Sequence, residues 1–176
     1  MSAVANGLRA LGSIAAFLAP LLLRAALAIP FLRSGLTKWN GFLSLAPTTQ
    51  YLFEEMFKLH LFGRTYPFPA PDVLAYIDAV AEIVLPVLLI VGLATRLSAF
   101  GLLIMTAVIQ LTVPDGWADF HLPWAALAVA LMAVGPGVLS LDWLIDRAVR
   151  GGACTRRGSA DSTRKSAPRE PTDRGS

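Results

Sequence analysis

The sequence predicts an all-α protein: a four-helix transmembrane bundle with an interfacial helix in its first loop and a disordered basic C-terminal tail. Three observations predict it. Hydrophobic residues make up 55% of the 176-residue chain and charged residues 15%, against about 25% charged in an ordinary soluble domain. Several apolar runs reach the ~20 residues needed to span a bilayer, which argues against a soluble protein with a large core. The remaining charge is segregated, with eight basic and three acidic residues in 147–176.

Composition also excludes chemistry. The one cysteine, Cys154, lies in the polar tail and reads as a solvated thiol. A single cysteine forms no intrachain disulfide, redox pair, iron–sulfur set or cysteine-based zinc site. His60 and His121 are too few for an intramembrane haem. Asp115, Asp119 and His121 lack a helical metal-binding spacing, so no metal is expected, and His121 reads as a solvated or interfacial histidine. The net charge of +3 has its excess beside a membrane span, where anionic lipid is a simpler partner than nucleic acid. No glycine-rich strand-to-helix loop suggests a nucleotide.

Residues 1–20 read as a cytoplasmic lead-in, continuous with the first helix. Ala26-Leu27-Ala28 has the form of a signal-peptide cleavage site, but Arg24 interrupts the apolar run before it and Pro30 follows. Span one is expected over Leu21–Phe42, with Arg24, Gly35 and Lys38 on one side of the helix and Arg33 opposite Arg24. Gly35 between two basic residues permits another helix to approach closely.

In the first long loop, 43–72, TTQYLFEEMFKLHLF reads as a short amphipathic helix capped by Thr48 or Thr49. It lies either in the interface or over the bundle mouth. Tyr66-Pro67-Phe68-Pro69-Ala70-Pro71 then reads as an extended link. Span two is expected over Asp72–Leu93, kinked at Pro86, and span three over Leu97–Val113, with Gln110 facing the bundle. A loop, Pro114–Pro123, precedes span four at Trp124–Leu141, and Gly135-Pro136-Gly137 bends that span's end. The membrane domain is thus 21–145 and the disordered basic tail 146–176. Basic residues counted by loop place both termini in the cytoplasm.

Span two organises the charge. Asp78 and Glu82 lie four residues apart on one helical face, inside an apolar run where a carboxylate costs roughly 2.5 kcal/mol or more. Arg96 follows Glu82 by fourteen residues, about 40° around and about 21 Å along an ideal helix. The other spans must neutralise this stripe.

Arg24 with Gly35-Leu36-Thr37-Lys38, Glu82 with Leu88 to Arg96, and Gly135 to Asp142 form an ordered set. In that set the chain resembles the DoxX family of small four-helix membrane proteins, over about residues 21–145. The long 43–72 loop and the basic tail depart from the family's shortest members. The resemblance implies the fold. It also implies, for some members, a membrane subunit of a quinone-linked oxidoreductase, including thiosulfate–quinone systems, or a partner in redox-stress complexes.

In the bundle, Lys38 is expected to meet Asp78 and Glu82 in the outer half, with Arg24, Arg96 and Asp142 forming an inner cluster of bidentate arginine–carboxylate pairs. Three roles fit the stripe. It holds ion pairs that fix helix register, or a polar pocket for a quinone or other small redox molecule, or a solute or ion path. In a quinone pocket Lys38 hydrogen-bonds a carbonyl oxygen, Glu82 accepts or relays a proton, and Asp78, Arg24, Arg96 and Asp142 complete the binding set. The chain is therefore expected to be a multi-pass protein of the bacterial inner membrane. Its expected role is a membrane-anchor or quinone-interacting subunit with a protein partner supplying electrons. The alternative is a scaffold or small-solute transporter, and homo-oligomerisation is left open.

Overall fold

The computed structural model describes residues 2–150, with side-chain surroundings from residue 4 onward. Helix α1 covers Ser2–Thr37, α3 Pro71–Val91, α4 Thr95–Thr112 and α5 Leu122–Val134. Four helical stretches are long and apolar enough to cross a membrane: Val4–Thr37, Pro71–Val91, Thr95–Thr112 and Pro114–Val134. All four helices contribute to one core, with Leu27, Ala28 and Phe31 from α1, Leu89 from α3, Ala99 and Leu102 from α4, and Ala128 and Leu131 from α5. Large apolar residues such as Ile90, Leu97 and Val129 face outward on the spans, as a bundle solvated by lipid requires. The all-α bundle stands as expected.

Helix α1 is one continuous element of 36 residues, about 54 Å long at 1.5 Å per residue. None of residues 4–19 is buried. The lead-in is thus a helical extension of span one that runs past the core. The helix stops at Thr37, short of Phe42. Trp39–Gly41 (β1) and Ser44–Leu45 (β2) instead make a small antiparallel hairpin, with Leu43 at φ 56°.

The first loop also differs from the single helix expected. Pro47–Tyr51 (α2) is α-helical and continues as a π-helical turn, Leu52–Met56. Phe57 then turns extended. Lys58–Leu61 (β3) pairs antiparallel with Arg64–Pro67 (β4). Phe62 (φ 51°) and Gly63 (φ 75°) form the two-residue turn, and positive φ at both positions matches the twist of a tight hairpin. The α2 segment packs over the bundle mouth, with Thr49 and Phe53 buried. The end of the bundle carrying residues 38–70 is called the loop end below, and the opposite end the turn end.

At the turn end, Gly92 (φ 75°) closes α3. Its amide donates to the Leu89 carbonyl at 3.1 Å and the Leu93 amide to the Leu88 carbonyl at 2.9 Å, the paired bonds of a Schellman stop. The expected loop before span four is helical: Pro114–Gly116 is a 3-10 turn and Trp117–His121 a π-helical turn running into α5. Span four ends at Val134 rather than Leu141, because Gly135 (φ 84°) and Gly137 (φ 74°) break the helix. Residues 141–150 form a further helix, α6. The first residues of the segment read as disordered, Asp146 to Arg150, are therefore helical, with an exposed Arg150–Asp146 ion pair at 2.7 Å. The remaining tail and Cys154 lie outside the described residues.

Candidate functional site

Helices α1 and α3 run antiparallel, and their closest approach is built on one glycine. Pro86 has no N–H, so the Glu82 carbonyl four residues earlier has no helical donor. Gly35 packs against that carbonyl. A Cβ at Gly35 would lie 2.9 Å from Glu82 Cβ and 3.0 Å from its carbonyl oxygen. The close approach expected at Gly35 is realised, and it sets Lys38, one turn on, beside the α3 carboxylates.

Lys38 Nζ donates to Asp78 Oδ2. It also lies 2.9 Å from Glu82 Oε2, off hydrogen-bond geometry, so charge attraction carries that contact. Glu82 is 3% exposed. The Phe53 ring lies 5.7 Å from Nζ, within range of a cation–π contact. The Lys38 carbonyl accepts the Ala46 amide at 2.8 Å and the Thr49 hydroxyl at 3.4 Å. One residue thus anchors both the charge cluster and the segment above it. Two carboxylates face one ammonium, so with both ionised the cluster carries one uncompensated negative charge.

This triad forms one wall of a cavity of about 660 Å³. Phe31 and Ser34 come from α1, Phe53, Phe57 and Phe68 from the first loop, Leu74, Ile77 and Ala81 from α3, Ile104, Met105 and Val108 from α4, and Trp124 from α5. The volume lies within the range of small-molecule sites, which combine an apolar lining with a few convergent polar groups. The aromatic lining escaped the sequence reading. Its one local signal was the four-residue spacing of Phe53 and Phe57, whose rings pack edge to face at 5.4 Å.

The second expected cluster does not form. Among the described residues, neither Arg24 nor Arg96 makes an ion pair with Asp142. Arg24 is 1% exposed. Its Nη2 donates to the Leu139 carbonyl at 2.6 Å and its Nε to the Pro20 carbonyl at 3.3 Å. It therefore ties the 135–140 turn to α1. Arg96 is exposed, with its guanidinium near Gly135. Asp142 accepts the amides of Ala94 at 2.7 Å and Thr95 at 2.8 Å, capping α4 from a distant part of the chain. Burial pushes the Asp142 carboxyl up, but the Thr95 and Ala94 amides outweigh it and hold the group below the usual carboxylate range. The residues expected as one binding set thus divide: Lys38, Asp78 and Glu82 line the cavity, and Arg24, Arg96 and Asp142 lie at the turn end.

His121, expected to be solvated or interfacial, is not solvated: it is buried at 4% exposure. Its Nδ1 lies 2.6 Å from Gln110 Oε1, and Gln110 Nε2 donates to the Pro114 carbonyl at 3.1 Å. A Cβ at Gly116 would meet the His121 ring at 2.8 Å, so glycine makes room for the imidazole. Gln110 faces this contact, in line with its expected inward orientation.

The fold and the triad define a class: a small four-span membrane protein with a lysine–dicarboxylate cluster in a loop-covered cavity. The DoxX family model matches residues 19–115, and the chain belongs to the DoxX family. A Haemophilus influenzae protein described as uncharacterized is 32% identical over 139 residues, 72% of this chain and 83% of that protein. No solved structure matches.

Proposed function

We propose that the protein is the membrane subunit of a quinone-linked oxidoreductase system, seated in the bacterial inner membrane with both termini in the cytoplasm. The observation that carries this reading is the position of Lys38, Asp78 and Glu82 on one wall of an otherwise mainly apolar, aromatic-lined cavity of about 660 Å³. A quinone headgroup is a flat ring with carbonyl acceptors at its ends. The residues present fit it: Lys38 is a donor, Phe53, Phe57 and Trp124 offer ring faces, and Glu82 is a proton carrier next to the donor. A bound quinone supplies two-electron acceptor chemistry. The chain's own part is to hold the headgroup with the Lys38 ammonium, exclude water with the first-loop aromatics, and keep a proton-exchanging carboxylate at Glu82. Electrons come from a separate protein, since neither the cysteine nor the histidine content of the chain suggests a redox centre.

Glu82→Gln tests the reading. Quinone-dependent turnover in membranes containing the partner should be lost while the protein accumulates at its normal level. A second reading, a scaffold whose ion pairs fix helix register, is favoured by the way Lys38 bridges α1 and α3. It expects Glu82→Gln to reduce accumulation instead, and Lys38→Glu combined with Glu82→Lys to restore it. Solute flux in proteoliposomes lacking any partner would favour a transporter over both.

A further inference from the structure

The walls of the cavity are unequal. Between α1 and α3 the wall is sealed, because Gly35 lies against the Glu82 backbone and Phe31 is 2% exposed. Above the cavity, Thr49 and Phe53 are buried and Phe57 and Phe68 half-buried, so the first loop covers much of that end, while Thr37, Thr48 and Val113, which also line the cavity, are exposed. Between α3 and α4 the situation reverses. These helices join through the 92–94 turn and touch where Leu85 meets Gly101, whose added Cβ would lie 2.9 Å from Leu85 Cδ1. One to two turns closer to the loop end, Ala81 and Ile77 on α3 and Ile104 and Val108 on α4 border the cavity. Three of these are also among the exposed apolar residues: Ile77 is 57% exposed, Ile104 50% and Val108 42%. A side chain on a membrane span that both lines a cavity and faces acyl chains stands at a rim.

We propose that the cavity opens sideways into the bilayer between α3 and α4, through a portal rimmed by Ile77, Ile104 and Val108. Its ligand is then a chain-bearing amphiphile whose polar head reaches Lys38, Asp78 and Glu82 while its apolar chain trails through the portal. This rests on the quinone reading and narrows it to a quinone with an isoprenoid or alkyl chain, delivered from lipid. The rim chemistry supports this occupant. Its three branched aliphatic side chains offer a chain no hydrogen bond to satisfy, whereas the acceptor-bearing head finds a cationic donor at Lys38 deeper in the cavity.

The test compares two probes on the full chain in lipid nanodiscs: decyl-ubiquinone, which carries an alkyl chain, and the same dimethoxy-methyl-benzoquinone ring without one. Occupancy is read by quenching of Trp124, with Trp124→Phe giving the background from the other three tryptophans. Narrowing the rim with Ile104→Phe and Val108→Phe should slow association of the chain-bearing probe about tenfold more than that of the bare ring. Widening it with Ile77→Ala and Val108→Ala should speed the chain-bearing probe and guards against a narrowing variant that fails to fold. Equal effects on both probes, or none, overturn the portal while leaving the cavity reading intact. Absence of Trp124-dependent quenching by either probe in the unaltered protein overturns the cavity reading and the portal with it.

Discussion

At Gly35 the contact is backbone against backbone: the Glu82 Cβ and carbonyl occupy the space a methyl group would need. Neither element of that contact is a flexible side-chain end, so Gly35→Val must push α1 and α3 apart. The expected cost is about 1–3 kcal/mol, as for other overpacked sites, read from unfolding in mild detergent. Lys38→Met acts on the same pair of helices through charge. It leaves Glu82, 3% exposed, and Asp78 without their cation, and removing one partner of a buried pair costs about 3–5 kcal/mol. Asp78→Asn should cost clearly less, because 23% of its side chain remains accessible. Equal losses in the two variants would contradict this ordering. The triad was legible in the sequence because the four-residue spacing of Asp78 and Glu82 fixes their shared face. The antiparallel run of spans one and two then fixes the depth at which Lys38 meets them. The Arg24–Arg96–Asp142 cluster was misread for an equally physical reason. A carboxylate near a helix start has free backbone amides to accept from, and Asp142 takes those of Ala94 and Thr95 in preference to an arginine.

Among the elements, α4 depends on a cap supplied 47 residues away by Asp142. Asp142→Ala should cost about 0.5–2 kcal/mol, the usual range for a lost helix cap. The carboxyl's folded value lies below its unfolded one. Its contribution is therefore fully present above the unfolded value of about 3.9 and is lost as pH falls through the folded value. Unfolding measured against pH should show that loss in the unaltered protein and not in Asp142→Ala. The N-terminal part of α1 contributes differently: residues 4–19 bury nothing within the chain, so deleting 2–16 should leave bundle unfolding within about 0.5 kcal/mol. Elements with period and length were readable from sequence, and all four spans fall near their expected places. The β3–β4 hairpin was not, because Lys58 to Leu61 continues the apolar spacing of the preceding helix. Its turn is Phe62-Gly63 rather than the Asn-Gly or Asp-Gly pair that marks most tight hairpins. The helical turns of Pro114–His121 were hidden by Pro114, Asp115 and Gly116, residues that read as loop but here serve a 3-10 turn.

Across the whole molecule, the two ends of the bundle differ in chemistry. The loop end holds a charge cluster beneath aromatic side chains, and the turn end holds a capped turn with Arg24 buried under it. Under the proposed function, which end faces the cytoplasm decides on which side of the membrane the triad would exchange protons. Arg96 and the basic residues of 147–176 lie at or follow the turn end, while the Pro114–His121 segment at the loop end carries two acids and no lysine or arginine. On that asymmetry the proposed orientation has the turn end inside, with Lys58 and Arg64 at the loop end opposing it. A cysteine at Phe62 reads the answer, because that side chain is fully exposed at the β3–β4 tip. In a Cys154→Ser background, Phe62→Cys should react with a membrane-impermeant maleimide in intact spheroplasts, and in otherwise unaltered protein Cys154 should react only after lysis. The reverse pattern would turn the bundle over and put Lys38, Asp78 and Glu82 in the cytoplasmic half, so that protons taken up at Glu82 would come from the cell interior.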